Sequence, residues 1–344
     1  MSRRTPRKRS CDTNMELLTK EIFNDSIKNA ASICILGHVN PDGDCVGSTL
    51  AAYNYIRNMR KGEDVRVTVY LDDIKSSKFD FLKGRELISS DSNDGKSYEL
   101  AIVCDCADVK RTGRFEKYLE RASESLLIDH HFTNGGFGNF GIVRGEASST
   151  CEVLYDLLNP EYIDKSIAEC IYTGIIHDTG VLRYSSTSKH TMDIAGSCMD
   201  MGIDFGKIVE ESFFSMSLEQ KRVLGYVLSN IKTRADGQIV YGCLDLETRR
   251  KLDAEEMDMD GIIDEIRTTT GALVGVFMYG TPDGHTKASL RSNSDAVDVS
   301  RVCLAHSGGG HKKAAGCFMS GDFERNMDEI EADFREQMRD AATF

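Results

Sequence analysis

The stretch His38-Val39-Asn40-Pro41-Asp42-Gly43-Asp44 puts one imidazole and two carboxylates into seven residues, directly after the apolar run Ile33-Cys34-Ile35-Leu36. Buried strands read as short apolar runs closed by turn residues. Pro41 and Gly43 therefore set His38, Asp42 and Asp44 on the loop at a strand's carboxyl end. In open α/β sheets that rim is where ligands bind. Mixed nitrogen and oxygen donors suit a divalent metal. Taken alone, the same residues also describe a turn followed by an aspartate helix cap, and the remainder of the chain tips the balance.

Three further segments end in groups of the same type. Leu100-Ala-Ile-Val-Cys104 ends at Asp105, Ser125-Leu-Leu-Ile128 ends at Asp129-His130-His131, and a helical pattern ends at His177-Asp178-Thr179-Gly180. Parallel neighbouring strands would bring the first three sets to one rim, while the arrival of Asp178 there is an assumption. So many converging carboxylates repel one another unless cations neutralise them, which makes a two-metal site the economical reading. Two metals about 3.5–4 Å apart can activate water and clamp the oxygens of a phosphoryl group. Carboxylate and imidazole donors without thiolate favour Mn²⁺, with Mg²⁺ or Co²⁺ as alternatives. Asp105, central in the order, is the candidate bridging ligand. Asp108, His177, His190 and His285 are given no metal role.

The elements that must position these groups follow from the pattern. Helices are expected over 15–29, 44–60, 115–122, 148–158, 164–177 and 187–201, and strands over 33–36, 65–71, 100–104 and 125–128. A Gly-rich loop is expected over 134–141. Strands alternating with helices, without internal repeats, indicate βαβ units and a mainly parallel sheet. Residues 1–15 read as a basic tail, 16–205 as a catalytic domain, 206–231 as a helical connector and 232–344 as a smaller α/β domain. In the last, strands are expected over 239–244, 272–279, 286–291 and 314–319, a Gly308-Gly309-Gly310-His311 loop lies between the last two, and a helix spans 323–338.

Composition narrows the class. The 344 residues suit about two domains. The net charge of −13 opposes wrapping a long nucleic acid, whose binding is dominated by phosphate neutralisation. It leaves room for a short anionic substrate held by a local cationic site. No apolar run approaches a membrane span of roughly 18 residues, and no apolar segment of a secretory signal follows the basic start. The 11 cysteines have no repeated C-x-x-C spacing, and six of them (Cys34, Cys45, Cys104, Cys106, Cys151 and Cys170) sit in apolar or small-residue elements. Buried free thiols fit a reducing cytoplasm better than a disulfide framework.

Together these residues resemble a known family. His38-x-x-Pro41-Asp42-x-Asp44-x-x-Gly47-Ser48, Asp105 with Arg111, Asp129-His130-His131 and Asp178-Thr179-Gly180 resemble the four motifs of the DHH phosphoesterases. Ser289-Leu290-Arg291-Ser292 and Gly308-Gly309-Gly310-His311 resemble the DHHA1 partner domain. Length and domain order are similar to the NrnA-like branch, oligoribonucleases and 3′-phosphoadenosine 5′-phosphate phosphatases. The resemblance implies an N-terminal, mainly parallel, Rossmann-like sheet and a C-terminal mixed-sheet domain. It implies that His38, Asp42 and Asp105 hold one metal, and Asp44, Asp105, His130 and Asp178 the other. His131 would touch the substrate phosphate, and Asp129 would orient a histidine. Arg291, Gly308, Gly309, Gly310 and His311 would grip the substrate, the glycines letting backbone N–H groups approach phosphate. Two departures from the pattern, Ala305-His306-Ser307 before the glycines and Val181-Leu182-Arg183 after Gly180, bear on substrate preference and remove no metal ligand. The implied substrates are very short RNA, linear dinucleotides and 3′-phosphoadenosine 5′-phosphate, held in a cleft between the domains that limits substrate length. Relatives are often dimers. A cyclic dinucleotide (cyclic di-AMP) phosphodiesterase is the second enzymatic reading. A non-catalytic nucleotide- or RNA-binding module is the rival from another class.

Overall fold

Five-residue apolar strands without alternation can be buried only between two helical layers, and the first half of the chain is built that way. The computed structural model describes residues 15–72, 74, 77–93, 95–254, 259, 261–306 and 308–342; the side chain of His311 also lies outside the described residues. The basic stretch read as a tail lies outside them up to residue 14. The chain divides into two units, Met1–Ser215 and Met216–Phe344.

In the first unit, β1 (Glu16–Leu17), β2 (Ser32–Leu36), β3 (Arg66–Tyr70), β4 (Leu100–Cys104), β5 (Glu124–Asp129) and β6 (Phe140–Val143) form one sheet in the order β1-β6-β5-β4-β2-β3. Every pairing is parallel. The order reverses between β2 and β4, the kind of switch point at which ligands bind. The carboxyl ends of those two strands carry His38 and Asp105.

The helices are α1 (Lys20–Asn29), α2 (Gly43–Met59), α3 (Glu116–Arg121), α4 (Thr150–Leu157), α5 (Lys165–Asp178), α6 (Lys189–Asp200) and α7 (Phe205–Val209). One face of the sheet buries Ile33, Ile35, Ile102, Leu126 and Ile128 against Leu50 of α2, Leu154 of α4 and Ile171 of α5. Burying each such side chain contributes about 1.5–3 kcal/mol. The other face buries an aromatic group in which Tyr70 and Tyr118 stack 4.4 Å apart.

Helices α2 and α5 approach through glycine. A Cβ on Gly47 would come 2.6 Å from the Cys170 carbonyl oxygen, and one on Gly174 would come 2.6 Å from Asp44 Oδ1. This seam brings Asp44, at the start of α2, near Asp178, at the end of α5.

Two expectations for this unit need correction. The helix expected over 15–29 begins only at Lys20, where Thr19 caps it by accepting from the Ile22 N–H; Glu16–Leu17 instead pairs with β6. The Gly-rich loop ends in β6, a strand too short to leave an apolar pattern.

The second unit holds α8 (Leu218–Ser229), β7 (Lys232–Arg234), β8 (Ile239–Leu244), α9 (Leu246–Lys251), α10 (Ile262–Arg267), β9 (Val274–Gly280), β10 (Thr286–Ser292), α11 (Ser300–Ala305), β11 (Gly309–His311), β12 (Ala314–Met319) and α12 (Phe323–Ala341). Its sheet runs β11-β12-β10-β9-β8-β7, antiparallel throughout except for β8 beside β9. The stretch read as a connector is helical in two pieces. Ile208 of α7 joins the core of the first unit, and Val223 and Val227 of α8 join a core of the second.

Candidate metal centre

His38 leaves the end of β2 buried, 4 % exposed. Its Nδ1 lies 2.8 Å from the Val39 carbonyl oxygen, which leaves Nε2 facing Asp105 Oδ2 at 3.3 Å and Asp42 Oδ2 at 3.6 Å. Asp42 also caps α2, its Oδ1 accepting from the N–H groups of Asp44 and Cys45, each at 3.1 Å. One residue thus fills both readings of the sequence, helix cap and candidate ligand.

Asp44 is fully buried. Its two oxygens accept from the backbone N–H groups of Thr150 (2.6 Å) and Cys151 (3.0 Å), at the first turn of α4. The positive end of that helix favours a carboxylate there. Asp105 is held by its backbone N–H donating to the Ile128 carbonyl (3.0 Å) and by the Thr150 hydroxyl donating to its Oδ1 (3.1 Å). Its φ is 58°. A left-handed conformation at a non-glycine residue costs on the order of 1–3 kcal/mol and clusters at functional sites.

His130 Nδ1 lies 3.4 Å from the Ala147 carbonyl oxygen. Its Nε2 faces Asp178 Oδ2 at 3.0 Å, Asp105 Oδ1 at 3.7 Å and Asp44 Oδ2 at 4.0 Å. His131 Nδ1 meets Asp129 Oδ1 at 2.8 Å and Asp105 Oδ1 at 3.6 Å. Asn134 donates to Asp129 Oδ2 (2.6 Å) and to the Cys106 carbonyl (2.9 Å), so Asp129 fixes a ring and is itself fixed.

The electrostatics follow from packing these groups together. Burial lowers the His38 imidazole, but the Asp105 and Asp42 carboxylates outweigh it and push the group up to about 10. Burial also lowers His130, and Asp178 with Asp44 and Asp105 outweighs it, up to about 11. Burial lifts Asp44 well above the usual carboxylate range, and the Asp105 and Asp178 charges add to it. Burial raises Asp178 to about 6 despite His130 beside it. The cluster thus retains protons where positive charge is needed.

That donor set fits divalent cations. Among the described residues, donor atoms converge within 4.8 Å in three groups: His38, Cys45 and Asp105; Asp105, His130 and His131; Asp44, His130 and Asp178. In both His38 and His130 the Nδ1 side meets a backbone carbonyl, which leaves Nε2 as the nitrogen that would face a cation, the usual arrangement of a histidine ligand. Asp105 shares the first two groups.

The model of the DHH family N-terminal domain matches residues 32–175, and that of the DHHA1 domain matches residues 236–340. The chain thus carries a DHH domain followed by a DHHA1 domain. It is 28 % identical over 312 residues to the bifunctional oligoribonuclease and PAP phosphatase NrnA of Thermus thermophilus, covering 89 % of this chain and 90 % of that protein. Against the protein of the same description from Bacillus subtilis it is 23 % identical, covering 83 % and 88 %. A crystal structure of an exopolyphosphatase-related protein from Bacteroides fragilis superposes with a TM-score of 0.84 at 26 % identity, over 92 % of this chain and 95 % of that one.

Within the first unit the structure gathers His38, Asp42, Asp44, Asp105, His130, His131 and Asp178 in one cluster. Of the histidines given no metal role, the His177 ring packs on Phe79, on Phe213 and against Gly43 beside Asp42, and His190 Nε2 lies 3.1 Å from Asp156. Three contributors escape the sequence reading. Thr150 holds Asp105 and Asp44, Cys45 adds a sulfur donor beside His38, and Asn134 holds Asp129. The one visible signal was Ser148-Ser149 before the helix that Thr150 opens, and it pointed to Thr150 alone.

In the DHHA1 domain, Arg291 of β10 and the backbone of His311 in β11 both stand in register with Ala314 of β12. Pairing therefore lines up two residues that are 20 positions apart. The side chain of His311 lies outside the described residues. The three glycines before it differ. A Cβ on Gly308 would meet the Gly316 carbonyl oxygen at 2.3 Å, and one on Gly310 (φ 138°) would meet that of Ala314 at 2.4 Å, whereas one on Gly309 would meet open space.

Proposed function

We propose that this protein hydrolyses very short oligoribonucleotides and linear dinucleotides to mononucleotides, and 3′-phosphoadenosine 5′-phosphate to AMP, using two divalent cations, Mn²⁺ foremost. Its class, a hydrolase of phosphate esters, follows from the DHH and DHHA1 domains and from relatives described as oligoribonuclease and PAP phosphatase. The observation that carries the reading is the convergence of Asp44, Asp105, His130 and Asp178 beside the His38–Asp42 pair.

In this reading His38, Asp42 and Asp105 hold one cation, and Asp44, Asp105, His130 and Asp178 the other. Bound cations of this kind lower the pKa of water and neutralise phosphoryl charge. The chain's own residues do the rest. Asp105 is set in a left-handed backbone so that its carboxylate lies between His38 and His130. Thr150 and the first turn of α4 keep Asp105 and Asp44 from turning away. Asp129 and Asn134 orient His131, whose ring contacts the substrate phosphate through Nε2. Arg291, Gly308, Gly309, Gly310 and His311 anchor the substrate, with Gly309 leaving room for a phosphate against the backbone. The cytoplasm is the proposed compartment, in keeping with the free thiols of all ten described cysteines. No helix among the described residues is long and apolar enough to cross a membrane.

The test is a product assay. Protein stripped with chelator and resupplied with Mn²⁺ releases mononucleotides from a diribonucleotide and AMP from 3′-phosphoadenosine 5′-phosphate, and Asp105→Ala abolishes both. Faster turnover of cyclic di-adenylate than of its linear product transfers the assignment to the cyclic reading. Undiminished turnover in Asp105→Ala removes the metal assignment.

A further inference from the structure

Phe132 directly follows His131 and is 86 % exposed, more than any other large apolar side chain described. A lone apolar residue on a surface needs no explanation, but the position of this one does. The Asn134 N–H donates to the His131 carbonyl (3.0 Å), closing a tight turn with Phe132 at its corner. On its other side Phe132 lies against Gly145. A Cβ there would meet Phe132 Cδ2 at 3.1 Å and its Cα at 3.2 Å, so a side chain at residue 145 would crowd the ring. Gly145 begins the loop into α4; that loop carries the Ala147 carbonyl facing His130 and leads to Thr150, the first residue of α4, whose hydroxyl donates to Asp105. Phe132 thus lies between the turn that follows His130 and His131 and the loop that leads into α4, while its ring stays open to solvent.

We propose that Phe132 is the stacking platform for a nucleobase of the substrate whose phosphate meets His131. The inference rests on the phosphoesterase reading of the site and adds the part of the substrate that reading leaves unheld. Every base has a π-face, so stacking on one aromatic ring is tolerant of sequence and suits an enzyme for mixed short RNA. The His131–Phe132 step gives adjacent contacts for the two chemically distinct parts of a nucleotide, anion and ring.

The sequence contains no tryptophan, so Phe132→Trp introduces a single indole at this position. Its fluorescence is expected to be quenched by AMP and by GMP but not by ribose 5-phosphate, in chelated as well as in Mn²⁺-loaded protein. Phe132→Ala is expected to raise the KM for 3′-phosphoadenosine 5′-phosphate by about 5- to 150-fold, and Phe132→Tyr to restore it. The preference of Phe132→Ala for this substrate over base-free ribose 3,5-bisphosphate should collapse. An unchanged preference in Phe132→Ala, or an indole that responds equally to ribose 5-phosphate, overturns the proposal. So does a Phe132→Ala variant that changes only its sedimentation mass, since Phe132 would then be a contact between copies. If wild-type protein turns over none of these phosphates, the phosphoesterase reading falls, and quenching by AMP still decides whether Phe132 stacks on bases.

Discussion

Thr150→Val is the sharpest test of how the centre is held. The exchange keeps the shape of the side chain, leaves no cavity and preserves the backbone N–H that donates to Asp44. It removes one interaction, the hydroxyl donated to Asp105 Oδ1 at 3.1 Å, between side chains that are 0 % and 2 % exposed. A hydrogen bond to a charged group contributes about 1.5–3 kcal/mol. At about 1.4 kcal/mol per tenfold, that is roughly 10- to 150-fold, in the range seen when the partner of a metal ligand is removed. The expected result is a Mn²⁺ affinity weakened by that factor in calorimetric titration of chelator-stripped protein. A fall in kcat should accompany it, because Asp105 is free to leave its productive position. Thr150→Ser, which keeps the hydroxyl, should restore most of both. The reasoning fails if the valine variant, folded by circular dichroism, binds Mn²⁺ as tightly as wild type and turns over as fast.

Other expectations follow from the same geometry. His38 and His130 hold protons up to about 10 and about 11, against an ordinary 6.5. Folded chelated protein therefore binds more protons than the unfolded chain above pH 6.5, and its stability should fall as pH rises from 6.5 towards 10, by on the order of a few kcal/mol. Mn²⁺ should flatten that slope and release protons on binding, read from melting temperatures with and without chelator; a chelated protein whose melting temperature is flat or rising over this interval contradicts it. Gly47→Ala would ordinarily help a helix, but its Cβ would meet the Cys170 carbonyl oxygen at 2.6 Å. A loss of about 1–3 kcal/mol is expected in denaturant titration, and a stabilised variant would disprove the close seam. Gly309→Ala should fold like wild type and raise KM, while Gly310→Ala, strained at φ 138°, should lower the melting temperature. The opposite ranking in paired melting and kinetic assays would remove the role given to Gly309.

Chemistry and local structure were readable from the chain itself. The strands that lead to His38, Asp105 and Asp129 are five or six residues long around the apolar stretches Ile33–Leu36, Leu100–Cys104 and Leu126–Ile128, and burial on both faces of a parallel sheet leaves that signature. The carboxylates and imidazoles stand at the ends of these runs because loops at the carboxyl rim are where polar groups can face a ligand. What the sequence could not express was distance. Only the packing of α2 against α5 through Gly47 and Gly174 brings Asp178, the last residue of a helix, to 3.0 Å from His130. Only the first turn of α4 gives Asp44 its two backbone donors, because backbone N–H groups carry no trace in side-chain types. Two-residue β1, at the sheet's edge, and four-residue β6 beside it were lost for a related reason: a strand that short is set by the neighbours it pairs with, and its own residues carry too little pattern to announce it. The sequence determined which groups could bind cations and which elements would carry them. Tertiary structure decided that these groups share one place, because close approach depends on the faces two elements turn to each other, a property that neither element encodes alone.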